Sequence, residues 1–123
     1  MEALLFSWIV GNNDMHLKNF SLYEPMKGKP RLTPAYDMLN AAIVNPREKE
    51  ELALTLNGKK SKIKTDDFIK AAATLGLQEN VIQNLFTKYK AIEEKFVTCI
   101  MDSFLSEELK DAYIELISIQ III

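Results

Sequence analysis

The sequence predicts one domain over residues 1–123 that is mostly α-helical with a small β element. The first observation is that apolar residues recur at helical spacing through the second half of the chain. The second is an N-terminal segment, residues 3–10, that is apolar nearly all round and therefore suits a buried helix. The third is a pair of short strand-like segments separated by the turn-forming stretch PMKGKP, residues 25–30.

Composition and charge fit a globular protein and set limits on its function. Hydrophobic residues make up 48% of the chain and charged residues 26%, which argues against disorder. The net charge of −2 gives no general attraction to nucleic acid. The single cysteine, Cys99, excludes an internal disulfide, so we expect a reducing cytoplasm and a buried thiol. The apolar tail, residues 114–123, is shorter than the roughly 20 residues of a membrane span, and we expect it to dock on this domain or on a partner.

Local signals predict the elements in chain order. Gly11 and the asparagines after it favour the end of the first helix. Thr65 is a predicted N-cap, with Asp66 and Asp67 in the first turn where the helix dipole favours acids. Four lysines between residues 59 and 64 are expected to form a solvated turn. The predicted elements are a helix over 2–10, strands over 20–24, 31–33 and 52–58, and helices over 65–75, 79–104 and from 106 onward.

The turn between the first two strands predicts which residues face each other. A reversal centred near Lys27 places residue 19 opposite residue 35. Asp37 then lies two residues further along, on the order of 7 Å from Asn19. The hairpin is therefore expected to bring Asn19 and Asp37 toward the same ion.

The polar stretch at residues 11–19, GNNDMHLKN, carries the candidate chemistry. It lies between two apolar segments, so its backbone should be fixed at the edge of the core while its side chains reach solvent or ligand. Asp14 and Asn19 stand five positions apart. Phosphoryl transfer needs a carboxylate to accept the proton of the attacking hydroxyl and oxygen ligands to hold Mg²⁺. Asp14 and Asn19, with Asp37, suit these two tasks, and His16 or Lys18 could neutralise the charge that develops on the transferred group.

At these residues the chain resembles the HipA-like kinases, the toxin kinases of bacterial toxin–antitoxin pairs. Residues 11–21, GNNDMHLKNFS, resemble their catalytic loop. Residues 32–39, LTPAYDML, resemble the segment that bears their second metal-binding aspartate, and residues 52–58, LALTLNG, are similar to the next segment of the family. The resemblance covers residues 3–77 and extends loosely over the C-terminal helices. It implies the fold of a protein-kinase C-lobe.

The resemblance also implies a role for each site residue. Asp14 would be the catalytic base, and Asn19 and Asp37 would bind Mg²⁺. His16 and Lys18 would contact the phosphates of ATP, and the nucleotide site would be lined by Tyr36. The family uses ATP to phosphorylate serine or threonine of proteins, and a small DNA-binding antitoxin of HipB type restrains it. Contact with DNA is therefore expected only through the antitoxin.

The chain departs from the family in one large respect. We find no Gly-rich phosphate loop, ATP-anchoring lysine or adenine hinge in residues 1–123, so we expect the chain to need an N-lobe from a separate polypeptide or from a missing N-terminal half.

Two other functions stay open at this point. One is a small-molecule kinase of aminoglycoside or choline type, which also uses D-x-H-x-x-N but usually has Gly where this chain has Lys18. The other is a non-catalytic module that binds an antitoxin or a sister subunit, in which exposed apolar surface would favour a homo-oligomer.

Overall fold

The computed structural model describes residues 1–121 and confirms a mostly α-helical fold with a small β element. Within those residues there are five α-helices, one short 3₁₀ turn and a two-stranded antiparallel sheet. Their bounds are α1 Glu2–Ile9, the 3₁₀ turn Leu17–Asn19, β1 Leu22–Tyr23, β2 Arg31–Leu32, α2 Thr65–Thr74, α3 Glu79–Ala91, α4 Glu93–Met101 and α5 Glu107–Ile121.

Helix α1 is buried in the core, as its uniformly apolar sequence predicts. Leu5 and Ile9 are fully buried between the C-terminal helices and the rest of the chain. Phe6 stacks at 5.9 Å between ring centroids on Tyr89 of α3 and at 6.2 Å on Phe96 of α4. Trp8 packs at 5.3 Å on Phe68 of α2. Aromatic contacts to three helices therefore fix the position of α1, and with it the start of the polar loop.

The hairpin has the predicted register, although its strands are shorter than expected. Leu22 pairs with Leu32 and Tyr23 pairs with Arg31, which centres the turn on residue 27. Both strands are exposed at the surface, and within residues 1–121 they form a sheet of two strands only. One further backbone bond, from Thr33 N–H to the Ser21 carbonyl at 2.9 Å, continues the register toward the polar loop.

The strand predicted over residues 52–58 is wrong. Leu52 and Leu56 are buried, but within residues 1–121 the only β-bridge of this segment is an isolated one between Leu56 and Lys59. Asn57 and Gly58 both have positive φ, which makes the predicted Asn-Gly turn. The chain reverses on itself here, so its backbone bonds are local rather than part of a ladder.

The single long helix predicted over residues 79–104 is also wrong, because the chain breaks at Ile92 into α3 and α4. Lys88 and Lys90 lie in the last turn of α3, and Glu93 is the first residue of α4. Each charge favours a helix end through the helix dipole, and Lys90 pairs with Glu93 at 2.7 Å across the break.

The last helix begins as predicted and docks the apolar tail on the domain. Ile117 and Ile121 of α5 are buried, and Ile122 and Ile123 lie outside the described residues. The prediction of a buried Cys99 is wrong, since its side chain is exposed while α4 turns Ile100 into the core. No helix in the described part of the chain combines the length and apolarity needed to cross a membrane.

Asp67 is a buried carboxylate that ties the lysine-rich turn to α2. Lys64, rather than the predicted Thr65, is the N-cap, and its N–H donates to Asp67 at 3.0 Å. Asp67 also accepts hydrogen bonds from Lys59 at 3.1 Å and from Asn57 at 2.9 Å. The hydrogen bond from Lys59, followed by that from Asn57, lowers the pKa of Asp67 from 3.8 to about 2.

We predict that Asp67→Asn lowers the free energy of unfolding at pH 7 by about 1–2 kcal/mol, because the variant loses the charge-assisted bonds of a buried acid. Since the pKa is lower in the folded state, the stabilisation is complete above pH 3.8 and disappears as the pH falls through about 2. Urea denaturation across this range should therefore show wild type and variant converging in acid. The matched control is Asp66→Asn, whose exposed pair with Lys70 should contribute little. A constant difference between wild type and Asp67→Asn down to pH 2 would contradict this account.

Candidate functional site

The polar loop is held to α1 at a glycine that the structure requires. Gly11 has φ +70°, and a Cβ there would lie 2.9 Å from the Asn40 side-chain oxygen and 3.2 Å from the Ala42 Cβ. Its carbonyl accepts hydrogen bonds from the N–H groups of Ala41 and Ala42, each at 3.1 Å. The segment after Asp37 is therefore packed directly against the start of the polar loop.

Asp14 presents its carboxylate at the surface next to His16. The His16 Nε2 lies 3.2 Å from the Asp14 Oδ1, and both side chains are about half exposed. An exposed carboxylate on a fixed backbone can accept a proton from an incoming hydroxyl. The structure thus pairs His16 with the candidate base, while Lys18 has an exposed side chain and forms no ion pair within residues 1–121.

Asn19 is buried and ends the short 3₁₀ turn. Its Nδ2 donates to the Asp14 carbonyl at 3.1 Å. The amide nitrogen is therefore used to brace the loop, which leaves the Oδ1 as the atom of this side chain that suits a hard cation. Asn19 and Ala35 line the same small cavity of about 70 Å³, in agreement with the register that sets residue 19 opposite residue 35.

Asp37 has an exposed side chain on a left-handed backbone. Its φ of 55° is in a region that few residues other than Gly, Asn and Asp adopt. Its carbonyl accepts a hydrogen bond from the Asn12 Nδ2 at 3.3 Å, while the Asn12 Oδ1 accepts one from the Asp14 N–H at 3.3 Å. One side chain thus links the backbones of the two candidate acids. The sequence signals Asn12 only as a turn former.

Tyr36 forms a second link between the two segments. Its hydroxyl donates to the Lys18 carbonyl at 3.2 Å and lies 2.6 Å from the Ser21 Oγ. The residue is 41% exposed, so part of its side chain stays in contact with solvent. The family resemblance implies a nucleotide-lining residue at this position, but the sequence gives no signal for the hydroxyl contacts across the hairpin.

Asn19 and Asp37 offer one amide oxygen and one exposed carboxylate, which are the kinds of oxygen atom that a magnesium ion prefers. Magnesium bound with nucleotide usually takes one or two protein oxygens and completes its shell with water and phosphate. Within residues 1–121 no group of three or more His, Cys, Asp or Glu side chains is placed to hold a metal.

An open apolar cavity of about 630 Å³ lies beside these groups. It is bounded by α1 on one side and by the hairpin and the segment after it on the other. The residues lining it include Leu4, Phe6, Phe20, Leu32, Ala35 and Met38. The candidate site therefore borders an apolar surface rather than a closed polar pocket.

Fold and site together define the class of protein. The family model described as the HipA-like C-terminal domain matches residues 1–96, and the chain belongs to this family.

Relatives and a solved structure agree with that assignment. The chain is 26% identical over 122 residues to a Haemophilus influenzae protein named "Putative kinase". The aligned region covers 86% of this chain and 36% of that protein. It is 35% identical over 83 residues to "Putative kinase Y4dM" of Sinorhizobium fredii, covering 67% of this chain and 20% of that one. The fold matches HipA from Shewanella oneidensis, solved with HipB and operator DNA, with a TM-score of 0.80 and 22% identity over 98% of this chain. The chain spans 29% of that HipA. Across all three proteins it spans about a third of their length or less.

We predict that Gly11→Ala destabilises the protein by at least about 1 kcal/mol more than Gly28→Ala. Both glycines have positive φ, so both variants lose the conformational freedom of glycine. A Cβ at Gly28 meets nothing within 4 Å, whereas a Cβ at Gly11 must displace Asn40 and Ala42. Thermal and urea unfolding of the two variants give the difference. Equal losses would mean that the close approach at Gly11 has no energetic consequence.

Proposed function

We propose that this chain is the C-lobe of a HipA-type, ATP-dependent protein serine/threonine kinase. The observation that carries the proposal is the hydrogen-bonded connection between the two candidate acids, through Asn12 to Asp14 and Asp37 and through Asn19 back to Asp14. A kinase needs a base and a metal-binding carboxylate held at a fixed separation, and here both segments share one braced backbone.

Each residue has a defined task in this proposal. Asp14 orients the attacking hydroxyl and accepts its proton as the new oxygen–phosphorus bond forms and the bond to ADP breaks. The Asn19 Oδ1 and the Asp37 carboxylate would hold Mg²⁺, which supplies neutralisation of the phosphate charge when it is bound with ATP. His16 keeps Asp14 oriented through their 3.2 Å contact, and Lys18 is available to meet phosphate oxygens.

Activity in this proposal requires a second lobe. Residues 1–123 contain no Gly-rich loop or ATP-anchoring lysine, and the matched kinases are about three times as long as the chain or longer. We therefore assign to further polypeptide the part of the site that grips the nucleotide. The HipA structure with HipB and operator DNA supports an antitoxin of HipB type as a partner. In this proposal the chain reaches DNA only through that antitoxin, since its net charge of −2 gives no general attraction to nucleic acid.

A fusion experiment tests the kinase assignment. The chain is joined to the N-terminal lobe of a full-length family member and assayed for transfer of ³²P from γ-labelled ATP to protein serine or threonine. We predict that Asp14→Asn lowers the rate by roughly 100-fold or more, since it removes the general base while keeping side-chain size. Asp66→Asn, on the exposed face of α2, is the control and should leave the rate unchanged. An Asp14→Asn fusion as active as wild type refutes the assignment. Transfer to amino alcohols or aminoglycosides instead of protein would favour a small-molecule kinase.

A second candidate function is a non-catalytic interaction module. The observation in its favour is the apolar surface of the hairpin, where the paired residues Leu22 and Leu32 are 68% and 58% exposed next to the apolar cavity. Exposed leucines of this kind are typical of surfaces that bind another polypeptide or a second copy.

We predict that the purified chain self-associates through this surface and that a Leu22→Ser, Leu32→Ser double variant shifts it toward monomer. Light scattering after size-exclusion chromatography, over a range of concentrations, gives the mass. Leu75→Ser, which alters an equally exposed leucine after α2, is the matched control. A wild-type chain that stays monomeric at high concentration counts against the module.

A further inference from the structure

Asn12 is an unusual residue within the polar loop because its side chain is almost completely buried. Only 1% of its surface is exposed, whereas Asp14, His16 and Lys18 beside it are exposed. Burying an amide is unfavourable unless both its donor and its acceptor are used. The position of Asn12 therefore requires partners for both ends of the amide.

Both ends are used on the backbones of the two candidate acids. The Oδ1 accepts a hydrogen bond from the Asp14 N–H at 3.3 Å, which makes an Asx turn between residues 12 and 14. The Nδ2 donates to the Asp37 carbonyl, 25 positions away in the sequence, also at 3.3 Å. The sulfur atoms of Met15 and Met38 surround the same nitrogen at 3.9 and 3.7 Å, so water does not replace these bonds easily.

The bond to Asp37 matters because of the conformation of that residue. Aspartate tolerates the left-handed region better than most L-residues, but that region is less favourable than the helical or extended ones, so a contact to this backbone helps to hold it. The Asp37 carboxylate is exposed and forms no hydrogen bond or ion pair within residues 1–121, so the backbone alone fixes the position from which the side chain extends. A group that holds the Asp37 carbonyl therefore limits the region that the carboxylate can reach.

We propose that Asn12 is a positioning residue that fixes the Asp37 carboxylate relative to the Asp14 loop and so sets the affinity of the site for a divalent cation. The inference rests on the proposed role of Asp37 as a metal ligand. Asn12 does not touch the cation; it acts through the backbone. Groups that orient metal ligands in this way typically change metal affinity about 10–100-fold when they are removed.

Mn²⁺ titration of the whole chain tests the proposal without any nucleotide or activity. Free Mn²⁺ is followed by electron paramagnetic resonance, and the broadening of backbone amide signals near Asn19 and Asp37 is followed by NMR. We expect Asn12→Ala to weaken Mn²⁺ binding about 10-fold, while excess Mn²⁺ restores the wild-type stoichiometry and the same pattern of broadened amides. Restoration by excess metal separates positioning from a loss of fold, because an unfolded chain would not recover the pattern.

A second variant addresses the risk that Asn12→Ala does not fold. In Asn12→Ser the hydroxyl can still accept the Asp14 N–H in the local turn but is too short to reach the Asp37 carbonyl. It should fold and show the same loss of Mn²⁺ affinity. The control is Asn13→Ala, which removes one exposed bond to the Glu50 carbonyl and should bind Mn²⁺ like wild type.

The outcomes separate this inference from the proposed function. If Asp37→Asn abolishes Mn²⁺ binding but Asn12→Ala and Asn12→Ser bind like wild type, the role of Asn12 is overturned and the metal assignment stands. If the wild type shows no Mn²⁺-dependent change at Asn19 and Asp37, this inference is overturned, whereas the kinase assignment is decided separately by the Asp14→Asn fusion. If Asn12→Ser binds about 10-fold more weakly than Asn13→Ala, with the wild-type pattern at saturation, the inference is supported.

Discussion

The burial of α1 is the constraint on which the rest of the structure depends. Phe6 and Trp8 hold this helix against three others, and the Trp8 indole also donates to Glu51 at 2.8 Å. The Glu51 carboxylate also accepts a hydrogen bond from the Ile63 N–H, so it joins the lysine-rich turn to the same helix. Because α1 ends at Ile9 and Val10 is its C-cap, the polar loop at Gly11 starts directly after a buried helix. The exposed acids are thus placed by apolar packing that none of them touches.

The site is organised through backbone rather than through contacts between functional side chains. Among the described residues, Asp37 forms no ion pair and Asp14 pairs only with His16. The side-chain amides of Asn12 and Asn19 and the hydroxyl of Tyr36 hold the two segments together instead, through hydrogen bonds to backbone groups. This arrangement keeps the acids accessible while it restricts where they can be, which is the condition for preorganised electrostatics.

Much of the fold was predictable from local signals, and the failures share a cause. The hairpin register comes from a turn rich in Pro and Gly, and the last helix comes from Ser106 before two glutamates. The break at Ile92 depends on weak opposing charges that periodicity does not reveal. Cys99 is exposed because only one face of α4 packs against the core. The apolar residues around it in the sequence do not show on which face of the helix it lies. At the site, the residue types and the hairpin were readable, whereas the links through Asn12 and the Tyr36 hydroxyl join segments 18 to 25 positions apart and exist only in the folded chain.

The hydrogen bonds that hold the polar loop to the Asp37 segment come from within this one chain. The hydrogen bonds of Asn12, Asn19 and Tyr36 lie between residues 12 and 37, and the bonds from Ala41 and Ala42 to the Gly11 carbonyl add to them. Helix α1 behind them is packed by the chain's own C-terminal helices. The polar loop and the segment that bears Asp37 are therefore held together by contacts within this chain. The surface next to these segments is an open apolar cavity whose lining includes Leu32 of the hairpin. A second lobe of the kind proposed above would bury this apolar surface when it docks, so the contact that completes the proposed nucleotide site would itself be stabilised by apolar burial.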